Sequence, residues 1–411
     1  MEFSTCENEA ADERLRECVR RAARAAVEAV GEDKLEAVIL TGTLSRGEAT
    51  AVVQADGTVF SFSDAEFLVV CREGGVRKGA AGKLAEAARG VEEALRGEGV
   101  SIEVDMRPVV RRELRRLRRR IFTLELRTHG KAVWGDEGVV ECVPVVDPRR
   151  ILRWDAVSLV FNRIIEHLEA RGVVATAGPQ ERAILRYRNA KTLLDMAGSL
   201  LAFQGHYEPT YRARGEKFGA FYETLPDLRR QLPEMAQEVR RWTRYKLDPE
   251  SFVMEDGGGT GEGDATREVR REWHRTARIV REVWLWESQR FLGAPGVDDP
   301  YEMAERYLRT DMIGMKVKGW VGLMMKERGR REVPWGRALR LMSLARPNTL
   351  IYASGAILYF ALSRESGLER VKELEHAAAV VDRFLPAPPE EWEDPREMVA
   401  AVVRNWKWFV K

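Results

Sequence analysis

Strand-forming and helix-forming patterns occupy separate parts of this 411-residue chain. Short apolar runs rich in β-branched residues follow one another between Glu36 and Trp134, whereas apolar residues recur at helical spacing from Trp154 to the C-terminus. This order predicts an α/β (α+β) N-terminal domain with a small mixed sheet and helices, followed by a mostly α-helical C-terminal region.

Breaks in these patterns give the boundaries of the predicted elements. The predicted order is a helix over 8–30, a strand over 36–41, a hairpin over 51–60, a strand over 66–71, a helix over 83–96, a strand over 100–106, a helix over 109–127 and a strand over 132–134. We expect domains over 1–148, 149–255 and 266–411. The Gly-rich segment 256–265 is predicted to be a surface loop, since no strand precedes Gly257 and no Gly-Lys-Ser/Thr motif follows it.

Composition bounds the compartment and the partners. The 67 Lys and Arg residues nearly balance the 65 Asp and Glu residues, so the net charge of +2 indicates no global attraction to nucleic acid or membrane. The cysteines lack metal-ligand spacing, and the N-terminus lacks the pattern of a signal peptide, which favours a cytoplasmic protein. The longest apolar stretch, Leu350 to Leu362, is too short to span a bilayer and predicts a buried helix, so no membrane partner is expected.

Three acidic residues fall where carboxylates need a partner. Asp64 and Glu66 stand two positions apart at the start of a buried strand, so both side chains leave the same face. Asp105 lies in another strand, where a carboxylate is costly unless it is hydrogen-bonded, exposed or bound to a cation. Converging carboxylates repel one another, and Mg²⁺ neutralises a few of them together with substrate phosphates. The pattern predicts a magnesium site; polar residues at a turn are the alternative interpretation of Asp64 and Glu66.

The loop after the first predicted strand is suited to phosphate. Gly42 lets the backbone approach a phosphate group closely, Thr43 and Ser45 offer hydroxyl and amide donors, and Arg46 adds positive charge. A loop of this composition at the end of a strand is the expected cradle for the β- and γ-phosphates of a nucleotide.

The order of these motifs resembles the DNA polymerase beta-like nucleotidyltransferase superfamily over residues 36–136. The shared pattern is a strand, Gly-Thr-x-Ser-Arg-Gly, Asp-x-Glu leading a strand, and a further strand that bears Asp. The resemblance implies an enzyme that transfers a nucleoside monophosphate, with ATP as the default donor and two Mg²⁺ ions as cofactors. The implied catalytic and metal-binding residues are Asp64, Glu66 and Asp105, and the implied phosphate-binding residues begin at Gly42 and Thr43.

The chain departs from the superfamily pattern in two ways. Twenty-two positions separate Gly42 from Asp64, and the predicted hairpin accounts for the excess. Glu66 is longer than the commoner Asp, and Glu103 substitutes for Asp105 if the strand register is off by two.

The segment from Arg186 to Lys191 resembles the helix that closes over the nucleotide in members of that superfamily. Tyr187 and Lys191 lie four positions apart on one helix face, which suits a stacked base and an ammonium group that binds the triphosphate. An ion pair between Lys191 and Asp195 is the alternative. The active site is then expected in a cleft between the sheet domain and the helical region.

The acceptor is open at this point. A small hydroxylated molecule, a protein side chain and a nucleic-acid end all fit, and the basic run from Arg111 to Arg120 suits either a polyanionic acceptor or a solvated helix face. The alternative function is a non-catalytic nucleotide-binding or scaffold protein on the same fold. The oligomeric state is equally open.

Overall fold

The structure, a computed structural model, describes residues 9–54, 56–171, 178–249, 262–364, 368–388 and 394–410. The chain forms two compact units. Unit 1 comprises Met1–Asp155, Leu201–Phe221 and Ala236–Gly259, and unit 2 comprises Ala156–Leu200, Tyr222–Met235 and Thr260–Lys411. This division differs from the sequence-based boundaries, because two segments beyond residue 148 belong with the N-terminal sheet.

The N-terminal half of unit 1 contains all seven strands of the described residues. Its elements are α1 (Glu9–Val30), β1 (Leu35–Thr41), α2 (Gly42–Ser45), β2 (Ala51–Val53), β3 (Val59–Ser61), β4 (Ala65–Cys71), α3 (Gly74–Gly97), β5 (Val100–Ser101), β6 (Val104–Val110), α4 (Arg111–Leu114), α5 (Ile121–His129) and β7 (Lys131–Gly135). The predicted first helix, the hairpin and the strands around 36–41, 66–71 and 132–134 are confirmed.

The main sheet of unit 1 is mixed. Its strand order is β6-β4-β1-β7, with β4 antiparallel to β1 and parallel to β6. Helices α1 and α3 pack on one face through a core that includes Leu15, Leu84 and Phe67. The opposite face carries a second core that includes Ile39 and Leu68 and is covered by α5 and the 3₁₀ helix Glu137–Cys142. The mixed α/β part of the predicted fold class is therefore confirmed.

The predicted helix over 109–127 is wrong. Strand β6 continues to Val110 because each of its residues pairs with one of β4, as far as Cys71 with Val110. Pro108 lacks an N–H group, but β6 is an edge strand, where a proline can remain without breaking the sheet. Two short helices, α4 and α5, then replace the single predicted one. The predicted strand over 100–106 is also divided, since β5 pairs with β3 in a separate three-stranded sheet, β2-β3-β5.

Beyond residue 150, the described residues contain helices and no further strand. These are α6 (Arg153–Arg171), α7 (Pro179–Phe203), α8 (Tyr211–Tyr222), α9 (Pro226–Gln231), α10 (Met235–Leu247), α11 (Glu262–Leu292), α12 (Pro300–Leu308), α13 (Ile313–Met324), α14 (Glu327–Glu332), α15 (Trp335–Leu344), α16 (Pro347–Ser363), α17 (Leu368–Phe384) and α18 (Pro395–Phe409). The mostly helical C-terminal region is confirmed. Residues 256–261 of the predicted Gly-rich loop lie outside the described residues, and the prediction is wrong for 262–265, which form the first turn of α11.

Helix α16 forms the centre of unit 2. Every residue from Leu350 to Leu362 is buried, which confirms the prediction of a buried helix from that apolar run. Trp284, Trp320 and Trp406 are at most 3% exposed and pack in the interior of unit 2. In the described part of the chain, no helix combines the length and the apolar character needed to cross a membrane.

Candidate active site

The candidate site begins at the sharp turn where β1 ends. Gly42 follows Thr41 with φ +71°, a backbone conformation that residues with a Cβ rarely adopt. A Cβ at Gly42 would lie 2.6 Å from Oε2 of Glu66, so the turn also needs the missing side chain for space. The hydroxyl of Ser45 donates to the carbonyl oxygen of Gly42 at 2.9 Å and holds the turn closed. Glu66 therefore lies directly against the glycine turn.

Strand pairing places two of the predicted acids side by side. Glu66 on β4 pairs with Thr41 on β1 and with Asp105 on β6. Paired residues of neighbouring strands point to the same face and are separated by about 4.8 Å. Thr41, Glu66 and Asp105 thus form one row across three strands, which we call the acid row. The register assigns Asp105, rather than Glu103, as the neighbour of Glu66, because Glu103 precedes β6 and is exposed.

The acid row lies on the face opposite to α1 and α3. Side chains alternate along a strand, so Glu66 shares its face with Leu68 and Val70, which belong to the core under α5. Asp64 is half-buried in the segment just before β4 begins, two residues from Glu66. The structure therefore brings Glu66 and Asp105 together at the turn and places Asp64 beside the start of the same strand.

Arg107 shares the edge of the sheet with Asp105. Its Nη2 and Nε atoms lie 2.7 Å and 2.8 Å from Oδ2 of Asp105, and the two side chains are 55% and 44% exposed. An ion pair with this much exposure contributes about 0–1 kcal/mol, so a competing ligand of either group can displace it. The sequence held a signal for Arg107, because a residue two positions after Asp105 on a strand shares its face.

The acid row offers Mg²⁺ two carboxylates, those of Glu66 and Asp105. Among the residues that the structure describes, no three His, Cys, Asp or Glu side chains are grouped as ligands of one metal ion. The two carboxylates of the acid row are nevertheless the oxygen donors that Mg²⁺ prefers, since it is commonly bound by one or two carboxylates together with substrate phosphates and water. The Glu66 carboxylate already occupies the space above Gly42, since a Cβ there would lie 2.6 Å from Oε2 of Glu66, so these oxygens lie directly at the glycine turn. The acid row therefore fits a magnesium ion that is shared with a phosphate ligand.

A buried ionic network that the sequence analysis did not predict stabilises the loop after the glycine turn. The side chain of Arg46 is 5% exposed and its Nη1 lies 3.0 Å from Oε2 of Glu125. The carboxylate of Glu48 accepts hydrogen bonds from the backbone N–H groups of Tyr211 at 2.8 Å and Arg212 at 2.9 Å. Glu48 thereby joins the loop after β1 to the start of α8. Arg46 is engaged in this network, which indicates a structural role for its guanidinium instead of the expected contact with phosphate.

Lys246 on α10 completes the network. Its side chain is fully buried, and Nζ donates to Oγ1 of Thr50 at 2.6 Å and to the carbonyl oxygen of Glu48 at 3.0 Å. The hydroxyl of Thr50 donates in turn to the carbonyl oxygen of Lys246 at 2.8 Å. The network fixes the loop that follows Gly42 to residues almost two hundred positions away.

Two tyrosines and an arginine extend the network beyond Glu125. The Tyr207 hydroxyl donates to Oε1 of Glu125 at 2.7 Å, and Nη1 of Arg214 donates to the Tyr207 oxygen at 2.5 Å. The Arg214 guanidinium lies 4.1 Å from the centre of the Tyr211 ring. Burial raises the pKa of Tyr207 well above its ordinary value, so this hydroxyl stays protonated. Burial and the nearby Arg46 charge lower the pKa of His129 on α5.

Tyr187 and Lys191 belong to unit 2. The ring of Tyr187 is 6% exposed, so most of its surface packs within α7 and its neighbours. Asp195, the expected alternative partner of Lys191, forms an ion pair with Arg163 at 3.1 Å. The predicted roles of Tyr187 and Lys191 toward a base and a triphosphate stay predictions.

Unit 2 also contains a cavity of about 700 Å³. Its lining includes His274, Arg278, Arg281, Tyr301 and Arg364, and none of the predicted site residues. Among the described residues, the acid row brings two carboxylates, Glu66 and Asp105, to a glycine turn, and it therefore carries the candidate site.

Comparison with known proteins leaves the assignment to the geometry. No protein-family model matches the chain, and neither the curated proteins nor the solved structures contain a match.

Proposed function

We propose that the chain is a metal-dependent nucleotidyltransferase that transfers a nucleoside monophosphate, AMP from ATP, to a hydroxyl-bearing acceptor. The observation that carries the proposal is the acid row, in which Glu66 lies against Gly42 and beside Asp105. The sequence resemblance to the DNA polymerase beta-like superfamily supports the same assignment, since its motifs fall on β1, β4 and β6 of a mixed sheet.

The residues of the acid row would share the metal. Glu66 and Asp105, with Asp64 beside them, would hold Mg²⁺, which supplies positive charge to the phosphate oxygens when it is bound. Gly42 and Thr43 occupy the turn that faces Glu66 and are the proposed phosphate-binding positions. Asp105, whose carboxylate is 44% exposed, would accept the proton of the acceptor hydroxyl.

The proposal leaves the acceptor as a small hydroxylated molecule, a protein side chain or a nucleic-acid end. Exposed arginines in the segment from Arg111 to Arg120 would suit a polyanionic acceptor. Arg112, Arg115 and Arg116 are exposed, whereas Arg111 pairs with Glu36 and Asp136. The alternative is a non-catalytic nucleotide-binding protein.

Binding and turnover of ATP distinguish these functions. The full-length protein is incubated with ATP, Mg²⁺ and, in separate reactions, hydroxylated small molecules, a mixture of proteins and RNA as acceptors of the AMP group. Both ATP affinity and pyrophosphate release are measured for the wild type, Glu66→Gln and Asp105→Asn. We expect Mg²⁺-dependent binding, and a decrease in pyrophosphate release of about a hundredfold or more in either variant. The matched controls are Glu93→Gln and Asp33→Asn, which replace exposed acids of unit 1 that do not belong to the acid row.

The outcomes separate cleanly. ATP binding that depends on Glu66 without any pyrophosphate release, for each of the four common nucleoside triphosphates, identifies the non-catalytic alternative. Wild-type protein that binds no nucleotide in the presence of Mg²⁺ refutes both functions.

A further inference from the structure

The helices α13 and α15 of unit 2 carry most of the exposed apolar surface. Eleven large apolar side chains are exposed in the described part of the chain, and seven of them lie between residues 312 and 339. We call these seven and the basic residues among them the basic–apolar face. The seven are Met312, Ile313, Val317, Val321, Met325, Trp335 and Leu339.

Four of the seven form a stripe along α13. Ile313, Val317, Val321 and Met325 follow one another at intervals of four residues, so they lie on one side of α13, and they are 81%, 44%, 50% and 77% exposed. Trp320 lies three positions after Val317 and seven after Ile313, beside the stripe, and it is buried within unit 2 at 2% exposed. Isolated exposed apolar residues are common, but a helix whose apolar surface extends well beyond its buried part normally has that surface covered.

Hydrogen bonds fix the outward orientation of this stripe. Trp320 Nε1 donates to the carbonyl oxygen of Ala345 at 2.8 Å, and Lys316 Nζ donates to that of Ser343 at 3.0 Å. Arg346 pairs at 2.6 Å with Asp311, whose side chain is fully buried. Turning α13 to bury the stripe would break these contacts, so the stripe is a fixed part of the surface.

The same region is strongly basic although the whole chain is nearly neutral. Residues 312–346 contain nine Lys or Arg and only two Asp or Glu. Lys318, Lys326, Arg331 and Arg340 are exposed among the apolar side chains. Of the two acids, Glu332 already pairs with Arg331 at 2.9 Å. The net charge of +2 therefore conceals a local excess of positive charge on this face.

We propose that the basic–apolar face docks on the surface of an anionic lipid bilayer. Side chains such as Ile313 and Met325 gain by entering the acyl region, Trp335 suits the interface, and the surrounding Lys and Arg side chains reach the headgroups. A nucleic acid offers these aliphatic side chains no apolar surface of comparable depth. A second copy of the chain would bring the same positive charge against itself. The sequence-based expectation of no membrane partner rested on an apolar stretch too short to span a bilayer. Binding to the surface of a bilayer needs no membrane-spanning helix, and this proposal therefore departs from that expectation.

Vesicle binding tests the proposal with the full-length protein. Co-sedimentation is measured with vesicles of phosphatidylcholine alone and with vesicles that contain about 30 mol % phosphatidylserine. We expect binding to the anionic vesicles that weakens as salt rises, and that falls about fivefold for each of Lys318→Gln, Lys326→Gln and Arg340→Gln. The combination of Ile313→Asn and Trp335→Ser should weaken it about tenfold or more.

Matched controls replace exposed residues elsewhere. Val371→Asn and Leu152→Asn change apolar side chains that are 53% and 44% exposed, and Lys78→Gln, Lys83→Gln and Arg96→Gln change exposed basic residues of α3. These controls should bind as the wild type does. An unchanged melting temperature shows that the variants of the basic–apolar face are folded.

Four results would overturn the proposal. Three concern vesicles: no binding to anionic vesicles, equal binding to neutral and anionic vesicles, and binding that the variants of the basic–apolar face do not change. The fourth is evidence that another molecule occupies the basic–apolar face. Self-association in light scattering that Ile313→Asn abolishes, without vesicle binding, identifies a second copy as the occupant. Retention on RNA that the lysine variants abolish, without vesicle binding, identifies a nucleic acid.

Discussion

Glu287 on α11 is expected to destabilise the folded protein at neutral pH. Its side chain is buried in unit 2 at 1% exposure, and burial raises the pKa of its carboxyl from 4.5 to about 8. The hydroxyl of Ser199 lies 2.8 Å from Oε1 of Glu287 and 2.9 Å from the carbonyl oxygen of Ala156. A hydroxyl has one proton, so if Ser199 donates to Ala156, a protonated Glu287 is needed to donate to Ser199.

The magnitude follows from the pKa difference. Because the folded pKa lies above the unfolded one, the stability that the neutral carboxyl contributes is complete below pH 4.5 and is lost as the pH rises toward 8. Each unit of difference corresponds to about 1.4 kcal/mol, so the loss reaches about 3 kcal/mol at pH 7. Glu287→Gln keeps a donor for Ser199 and cannot ionise. We therefore expect it to raise the free energy of unfolding by about 3 kcal/mol at pH 7 and by little at pH 4.5.

Urea unfolding of the wild type and Glu287→Gln at several pH values between 4.5 and 9 measures this difference. The control Glu305→Gln replaces an exposed acid on α12 and should show no comparable pH-dependent gain. A difference between Glu287→Gln and the wild type that stays constant between pH 5 and 8 would refute the reasoning, because it would show that Glu287 does not change its ionisation on unfolding.

Three further predictions concern unit 1. Gly42→Ala should lower the free energy of unfolding more than Gly57→Ala does, and it should abolish pyrophosphate release. Both glycines have a positive φ, which strains a residue with a Cβ by about 1–2 kcal/mol. The new Cβ at position 42 would also meet Glu66, whereas at position 57 nothing lies within 4 Å. Lys246→Met should lower the free energy of unfolding in urea by about 3 kcal/mol, because the Glu48 carbonyl and the Thr50 hydroxyl lose a buried donor. The control Lys217→Met removes a partly exposed ion pair with Glu208 and should change the free energy of unfolding by less than about 1 kcal/mol. Arg107→Gln should lower the Mg²⁺ concentration for half-maximal ATP binding about threefold, since it removes a competing cation from Asp105; a higher requirement would contradict displacement of this pair by the metal.

Local patterns were sufficient to predict three of the four strands of the main sheet, namely β1, β4 and β7. The apolar run before Gly42 and the run after Glu66 each form a strand of seven residues, and the turn at Gln54 to Gly57 lies between two paired arms. The helix predicted over 109–127 failed because pairing with β4 extends β6 through Pro108. The competition between a helix and an edge strand is decided by that tertiary contact, which the local sequence does not show.

The buried network behind the turn illustrates the larger limit of sequence reasoning. Lys246 and Thr50 exchange hydrogen bonds across almost two hundred positions, and nothing in the periodicity of either segment indicates the other. Arg46 was assigned to phosphate from its place in the loop, but the direction of its side chain depends on Glu125, a residue of a helix that was itself predicted with the wrong bounds. Roles of loop side chains therefore depend on contacts that composition does not reveal.

The position of the acid row, in contrast, follows from the alternation of apolar residues. Phe67 and Val69 must face α1 and α3, and the pairing of Phe67 with Met106 puts another apolar side chain on that covered face. Glu66 and Asp105 are then directed to the opposite face, and a shift of β6 by one residue would move Asp105 into the core under α3. The hydrophobic pattern that stabilises the sheet thus also keeps the two carboxylates beside each other. Since Glu66 additionally occupies the space above Gly42, the acid row and the glycine turn are fixed by the same few strand residues and do not require any bound ligand to bring them together.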